Sequence, residues 1–188
     1  MKTVTVIGGG IAGLQAGIFT AKADEQTLLL DTGESLVHNT SNIQNLIGHD
    51  SVSGQELLRS GKNKLEDFDG EIKEEEVKKV EKTEDGFRVK TSKDKYESEY
   101  VIIASAGDLS YLENLDLEYE EGVEGPYMMD RHVKTDDSNE STVMEKLYAA
   151  GLSNSWEYQT SVAIGDGAKA ALNLLTDKYG EPYEDHDT

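Results

Sequence analysis

Lys2-Thr3-Val4-Thr5-Val6-Ile7-Gly8-Gly9-Gly10-Ile11-Ala12-Gly13 opens the chain, and Thr27-Leu28-Leu29-Leu30-Asp31 follows after a helical stretch. Lys2 to Ile7 alternates like a buried strand, Leu14 to about Ala23 has helical spacing, and Thr27 to Asp31 is a second strand ending in an acid. Between strand and helix, Gly8, Gly10 and Gly13 stand at G-x-G-x-x-G spacing. In a dinucleotide-binding turn each glycine has a separate task. Gly8 permits the tight turn, Gly10 lets the backbone approach a pyrophosphate, and Gly13 lets the helix pack closely on the strand. The first N–H groups of the helix, backed by its dipole, then face the phosphates. Asp31 falls about twenty residues on, where a carboxylate accepts ribose hydroxyls. The competing reading is a glycine-rich strand-to-helix turn without a ligand, and the flanking strands and correctly spaced acid weigh against it.

Composition narrows the class further. A chain of 188 residues is the size of one well-buried domain, or of two very small ones. Its apolar runs, such as Leu28-Leu29-Leu30 and Val101-Ile102-Ile103-Ala104, are strand-sized rather than membrane-sized. The first residues enter a strand directly, so a cytoplasmic, soluble protein without a signal peptide is expected. The formal net charge is −20, from 38 acidic and 18 basic residues spread along the whole chain. Periodic core segments argue against disorder, which leaves a folded, acid-rich surface of the kind found in salt-accumulating cells. Such a surface repels nucleic acid and anionic membrane. With only Arg59, Arg88 and Arg131 as arginines, an arginine-rich phosphate cradle is excluded. There is no cysteine, so a disulfide, a thiolate nucleophile, a C-x-x-C pair and a thiolate metal site are all excluded.

Further along, Thr32 to Gly48 reads as a loop. Ser53 with Glu56 forms a capping box ahead of a helix carrying Leu57, Leu58 and Leu65. Glu71 to Tyr100 reads as short antiparallel strands, including Lys79-Val80-Glu81, Phe87 to Lys90 and Tyr96-Glu97-Ser98. Tyr100 to Ala104 is a continuous apolar run, hence a central parallel strand. Asp108 to Gly125 is acid-rich, weakly patterned and too short for a domain. Leu147 to Ala150 is a last short strand, and Thr160 to about Lys178 is a long helix. The fold class is therefore α/β, with a central parallel sheet and a small antiparallel β insertion at about 71–100. One domain is expected over 1–179, with a frayed acidic tail over 180–188.

These blocks together resemble the FAD-binding domain of the thioredoxin-reductase-like flavoproteins, within the two-dinucleotide-binding-domain superfamily. GGGIAGLQAGIFTAKA followed by LLLD is similar to that family's first strand, turn, helix and acid. NIQNLIG resembles its V-E-N-x-P-G segment, with Asn45 in place of the flavin-proximal asparagine, and YVIIASAG resembles V-I-I-A-T-G-A. LYAAGLSNSWEYQTSVAIGDGAKAAL resembles the final A-A-G-D…Q-x-x-x-A-x-G-x-G-x-x-A-A block. The resemblance implies a Rossmann-like FAD/NAD(P)-binding fold and FAD as cofactor. It implies contacts from Gly8, Gly9, Gly10, Ile11, Ala12, Gly13, Asp31, Thr32, Asn45, Val77, Ala104, Ser105, Ala106, Gly151, Leu152, Gln159 and Thr160. It also implies a homodimer and a separate redox partner protein. The departures matter equally. Members insert an NADPH domain carrying the redox C-x-x-C where this chain has the short Asp108–Gly125 connection. Leu152 replaces the A-A-G-D aspartate that bonds the ribityl chain, and Ser105 and Ala106 replace the threonine and glycine of A-T-G.

Several candidates carry two readings. Gln159-Thr160 opens the last helix toward the flavin ring, unless Thr160 or Ser161 is only an N-cap. Asn45 bonds the flavin or is turn chemistry. His38 and His49 read first as surface residues, and His132 and His186 have no local context. Trp156 is expected to pack under its loop, and Tyr111 and Tyr119 to anchor the connection. No catalytic residue or metal ligand stands out. Two function classes follow: an FAD-dependent oxidoreductase using a separate electron donor, or a non-catalytic nucleotide-binding or interaction protein derived from a reductase. A weaker third reading puts NAD in the one pocket.

Overall fold

The computed structural model describes residues 1–123 and 129–184. β1 (Lys2–Ile7) runs through α1 (Ile11–Lys22) to β2 (Thr27–Asp31), and α2 (Gly54–Asp67) returns the chain to β3 (Glu71–Glu74). β4 (Val77–Lys82) and β5 (Phe87–Thr91) form a hairpin that pairs antiparallel with the start of β6 (Lys95–Ile103). Residues 104–143 hold a 3₁₀ turn at Ser110–Leu112, the ribbon of β7 (Tyr119–Glu121) with β8 (Arg131–Val133), and β9 (Glu140–Ser141). β10 (Met144–Ala149) and α3 (Thr160–Tyr179) complete the described fold. The main sheet has the order β3-β2-β1-β6-β10-β9, parallel from β3 to β10 with β9 antiparallel at the edge.

Both faces of this sheet are covered, which is why its central strands read as continuous apolar runs. Val4, Val6, Leu29, Tyr100, Ile102 and Tyr148 point to one face, where Leu14, Leu58, Leu65, Leu174 and Leu175 of the three helices pack on them. Leu28, Leu30, Val101, Ile103 and Leu147 point to the other. There they meet Val80, Phe87 and Val89 of the hairpin and Leu109, Tyr111, Leu112, Leu115 and Val133 of the 104–143 interval. That interval, weakly patterned in sequence, thus contributes a large part of the second core.

Several boundaries differ from the sequence reading. α1 begins at Ile11, with Gly10 as N-cap, rather than at Leu14. Glu71–Glu74 is not antiparallel; it pairs parallel with β2, Leu29 opposite Ile72. Tyr96 to Ala104 is not two strands. β6 is continuous and changes neighbours at Ser98, which pairs with both Phe87 of the hairpin and Lys2 of β1. The loop after β2 contains a 3₁₀ turn at Leu36–Asn39 and a bridge between Ile43 and Val52. The chain after α3 does not simply fray: Gly180 ends the helix in the left-handed region, and Tyr183 folds back against the first core. Gly125, His186 and residues 185–188 lie outside the described residues.

The capping box at α2 is formed as read. Glu56 N–H donates to Ser53 Oγ, and the Glu56 carboxylate accepts from Ser53 N–H at 2.9 Å. Those bonds from Ser53 hold the Glu56 carboxyl below the usual carboxylate range, so the box is intact at neutral pH and weakens as pH falls through that lowered value. Ser53→Ala is expected to lower the unfolding free energy by about 1 kcal/mol, read by urea denaturation in high salt. An unchanged midpoint would show that Leu58 and Leu65 hold α2 without its cap.

Candidate dinucleotide site

β2 and β3 lie on one side of β1, while β6 and β10 lie on the other. At such a switch point the loops leaving adjacent parallel strands diverge and open a crevice beyond their C-terminal ends. The glycine loop leaves β1 at this place. Gly8 has φ +109°, and a Cβ there would lie 2.5 Å from the carbonyl oxygen of Ala104. A Cβ on Gly13 would lie 1.9 Å from the Gly8 carbonyl oxygen, so α1 sits directly on the turn. A Cβ on Gly9 would strike the Asp31 carboxyl group at 2.3 Å.

Gly10 is different. Its φ of −72° suits any residue, and the nearest atom to a Cβ would be Ser35 Oγ at 3.6 Å, an ordinary contact. The fold itself makes no demand for glycine here. The backbone at position 10 is bare toward open space, at the N-cap of a helix with no side-chain cap and no acid in its first turn.

α3 repeats the arrangement. Its N-cap is Gln159, no side chain caps it, and its first turn has no acid. The reading of Thr160 or Ser161 as a simple N-cap is therefore corrected. α1 and α3 each follow a parallel strand and pack on the same sheet face, so their N-termini point to the same end of the molecule. They touch where Gly167 meets Ala12; a Cβ on Gly167 would lie 2.1 Å from the Ala12 carbonyl oxygen. From that contact α3 extends seven residues, or about 10 Å, further toward its own N-terminus. Asn45 Nδ2 donates to Gln159 Oε1 at 3.1 Å and ties the loop after β2 to this helix start.

At the other end of the crevice Asp31 is buried at the tip of β2. One carboxylate oxygen accepts from Gly9 N–H at 3.2 Å, and the other pairs with Lys62 of α2 at 3.0 Å. The acid expected to be open for ribose hydroxyls thus already holds two donors. A cleft of about 670 Å³ lies against it, lined by Gly9, Asp31, Ser35, His38, Arg59 and Lys62 among others.

The turn after β10 is fastened by residues with no motif to announce them. Gly151 N–H donates to Asp166 Oδ2 at 2.6 Å, and Asn139 Nδ2 donates to Asp166 Oδ1 at 2.7 Å. Asn154 Nδ2 also reaches Asp166, and Ser153 Oγ donates to the Ser105 carbonyl. His132 Nδ1 donates to the Leu152 carbonyl at 2.7 Å, while its Nε2 is buried without a partner. The Leu152 side chain packs against the second core. The place where the resemblance puts a ribityl-binding carboxylate is therefore apolar. Burial pushes the Tyr111 phenol well above its usual range, and its protonated hydroxyl pairs with Ser105 Oγ at 2.6 Å.

The structure brings Gly8 to Gly13, Asp31, Ala104, Ser105, Gly151 and Leu152 to one end of the sheet, and joins Asn45 to Gln159, the residue before Thr160. Thr32 and Ala106 are exposed beyond β2 and β6. Val77 opens β4 and packs against the second core, apart from the cleft lining. Trp156 is half exposed rather than packed under its loop. Tyr111 and Tyr119 do anchor the interval to the second core. His38 and His49 are exposed, and among the described residues no group of three His, Asp or Glu could hold a metal. Lys62, His132, Asn139 and Asp166 were not singled out from sequence. Asp166 left one faint signal, an acid between Gly165 and Gly167 in a helix whose neighbouring positions are small.

A glycine cradle at a switch point, an acid at the tip of the second strand and two uncapped helix starts define a dinucleotide-binding α/β domain. The family model for pyridine nucleotide-disulphide oxidoreductases matches residues 34–144, and the chain belongs to that family. It is 31% identical over 130 residues to a ferredoxin–NADP reductase of Lacticaseibacillus paracasei, a match covering 65% of this chain and 40% of that one. It is 29% identical over 107 residues to a thioredoxin reductase of Bacillus subtilis, covering 56% of this chain and 34% of that one. The chain thus spans well under half the length of these relatives. A solved thioredoxin reductase from Gloeobacter violaceus superposes with a TM-score of 0.82 at 15% identity, covering 100% of this chain and 98% of that one, which shows the shared fold. No helix among the described residues is long and apolar enough to cross a membrane.

Asp166→Ala is expected to remove the acceptor shared by the Gly151 N–H and the Asn139 and Asn154 amides, and to cost about 1–3 kcal/mol of stability. Urea denaturation at neutral pH reads this directly. A cost near zero would mean the turn after β10 is held by Ser153 and His132 instead.

Proposed function

We propose that the chain is a single FAD-binding domain over residues 1–179, a flavoprotein of oxidoreductase ancestry that works without an in-chain NADPH domain or dithiol. The observation that carries this is Gly10, a glycine that the fold does not need, bare at an uncapped helix start. A pyrophosphate fits that place: the first N–H groups of α1 would donate to it, and a side chain at position 10 would occupy its space. Asp31 and the cleft beside Lys62 would take the ribose and adenine. Asn45, Gln159 and the first turn of α3 would face the ring, where the helix N-terminus favours negative charge. Bound FAD would supply the electron chemistry, accepting electrons from one partner and giving them to another. With no cysteine in the chain, those electrons would come from a separate redox protein or directly from a substrate. We place the protein in the cytoplasm of a salt-adapted cell, as a homodimer.

Leu152 favours a second reading. Its side chain sits in the second core where the resemblance has a ribityl acceptor, as a former reductase that keeps a nucleotide without turnover would show.

Three outcomes test the proposal. Protein kept in salt of about 1 M throughout should show flavin bands between about 300 and 550 nm, or acquire them on adding FAD. A colourless protein that FAD cannot reconstitute would move the reading to the non-catalytic class. Gly10→Val should abolish FAD binding with the melting temperature within a few degrees of wild type; equal binding would sink the cofactor assignment. FAD affinity should also rise from about 0.1 M to about 1 M salt, because a chain of −20 repels an anionic pyrophosphate until it is screened. Fluorescence titration reads this, and tighter binding at low salt would contradict it.

A further inference from the structure

Both sides of the Asp31 carboxylate are already taken. On one side it lies against the Gly9 backbone, where a Cβ would come within 2.3 Å of it and where Gly9 N–H donates to Oδ1. On the other side Lys62 Nζ donates to Oδ2 at 3.0 Å. The Asp31 side chain is 8% exposed and that of Lys62 38%. Both residues line the cleft, so the member of the pair that is open to it is chiefly the lysine. An ammonium carries three donors. Among the described residues that of Lys62 meets one acceptor, Asp31, and two donors are left for a ligand.

We propose that Lys62 is the residue that bonds the ribose hydroxyls of a bound dinucleotide and that Asp31 is its positioning residue, which rests on the placement of the nucleotide in the function proposed above. The relative strength of the donors decides this. For a ribose to bond Asp31 directly, a hydroxyl would have to take Oδ2 from Lys62. That exchanges a charge-assisted bond between two ions for a weaker one from a neutral donor. It would also strip a buried carboxylate of its countercharge, in a chain of −20 whose Glu66 and Glu74 line the same cleft. Lys62 therefore stays on Asp31, and its remaining donors bond the hydroxyl oxygens. The neutral pair also repels an approaching pyrophosphate less than a bare carboxylate would.

Calorimetric titration with ADP and with 2′,3′-dideoxy-ADP at about 1 M salt tests this, because a general effect of charge acts on both nucleotides alike. FAD uptake by the wild type is followed by absorbance alongside. Wild type should bind ADP about tenfold more tightly than the dideoxy nucleotide. Lys62→Met should abolish that preference, and Lys62→Arg, which keeps a charged donor, should retain most of it. Asp31→Asn, whose amide oxygen still accepts from Lys62, should retain part, and adding Lys62→Met should remove the rest. That background leaves no buried charge unpaired, so it reports even where Lys62→Met alone fails to fold. A preference that survives Lys62→Met in either background would overturn the proposal and return the hydroxyls to position 31. A wild type that takes up FAD but binds the two nucleotides equally would overturn the role of Lys62 and leave the flavoprotein reading standing. A wild type that binds neither FAD nor ADP would overturn both.

Discussion

The whole site hangs on a place with no room for a side chain. The Gly8 carbonyl oxygen lies where a Cβ on residue 13 would be, and Gly8 itself lies against the backbone of Ala104. The first contact sets α1 on the turn, and the second sets the turn on β6. Because α1 is fixed, Ala12 is fixed, and Gly167 can bring α3 onto its carbonyl. Gly151 approaches Ala12 from the other side; a Cβ there would lie 2.9 Å from the Ala12 Cβ. Four glycines from three parts of the chain thus bind one alanine and one turn together. Close-packed backbone of this kind cannot drift, because any shift meets atoms rather than flexible side chains. The two helix starts inherit their separation from it, and a ligand that bridges them must match a spacing set by backbone.

What sequence could read was local. The glycine spacing, the capping box and the apolar central strands all express themselves within a dozen residues, and all three stand in the structure. What sequence could not read was long-range. Glu71–Glu74 has a weak pattern because its place is set by Leu28 to Asp31 as a parallel neighbour, not by its own residues. β6 looked like two strands because its first half faces the hairpin and its second half joins the parallel sheet, and the composition changes where the neighbours change. Asp31 was found, but its partner Lys62 lies 31 residues away on another element. Asp166 and Asn139 meet only because β9, β10 and α3 are assembled.

Leu152 shows why a single substitution should not be read alone. Its side chain belongs to the same core as Leu109, Tyr111, Leu112 and Val133, all from the 104–143 interval. Its carbonyl accepts from His132, also in that interval, and Ser153 next to it donates to Ser105. The interval and the turn after β10 therefore form one packed unit. An aspartate at 152 would place a charge against that core, at a cost set by desolvation as well as by lost packing. The apolar residue and the short interval are two sides of one arrangement, so cofactor contacts at this turn would fall to its backbone rather than to its side chain.

The charge distribution bears on the fold and on any anion that would enter the cleft. An excess of acids across a folded surface destabilises the compact state through self-repulsion, which molar salt cuts to a range of about 3 Å. In the cleft Lys62 pairs with the buried Asp31, while Arg59, Glu66 and Glu74 also line the wall. An anion entering there would be opposed at low salt by the field of the surrounding acids. Salt would then act on folding and on ligand in one direction, because a single surface sets the repulsion against both.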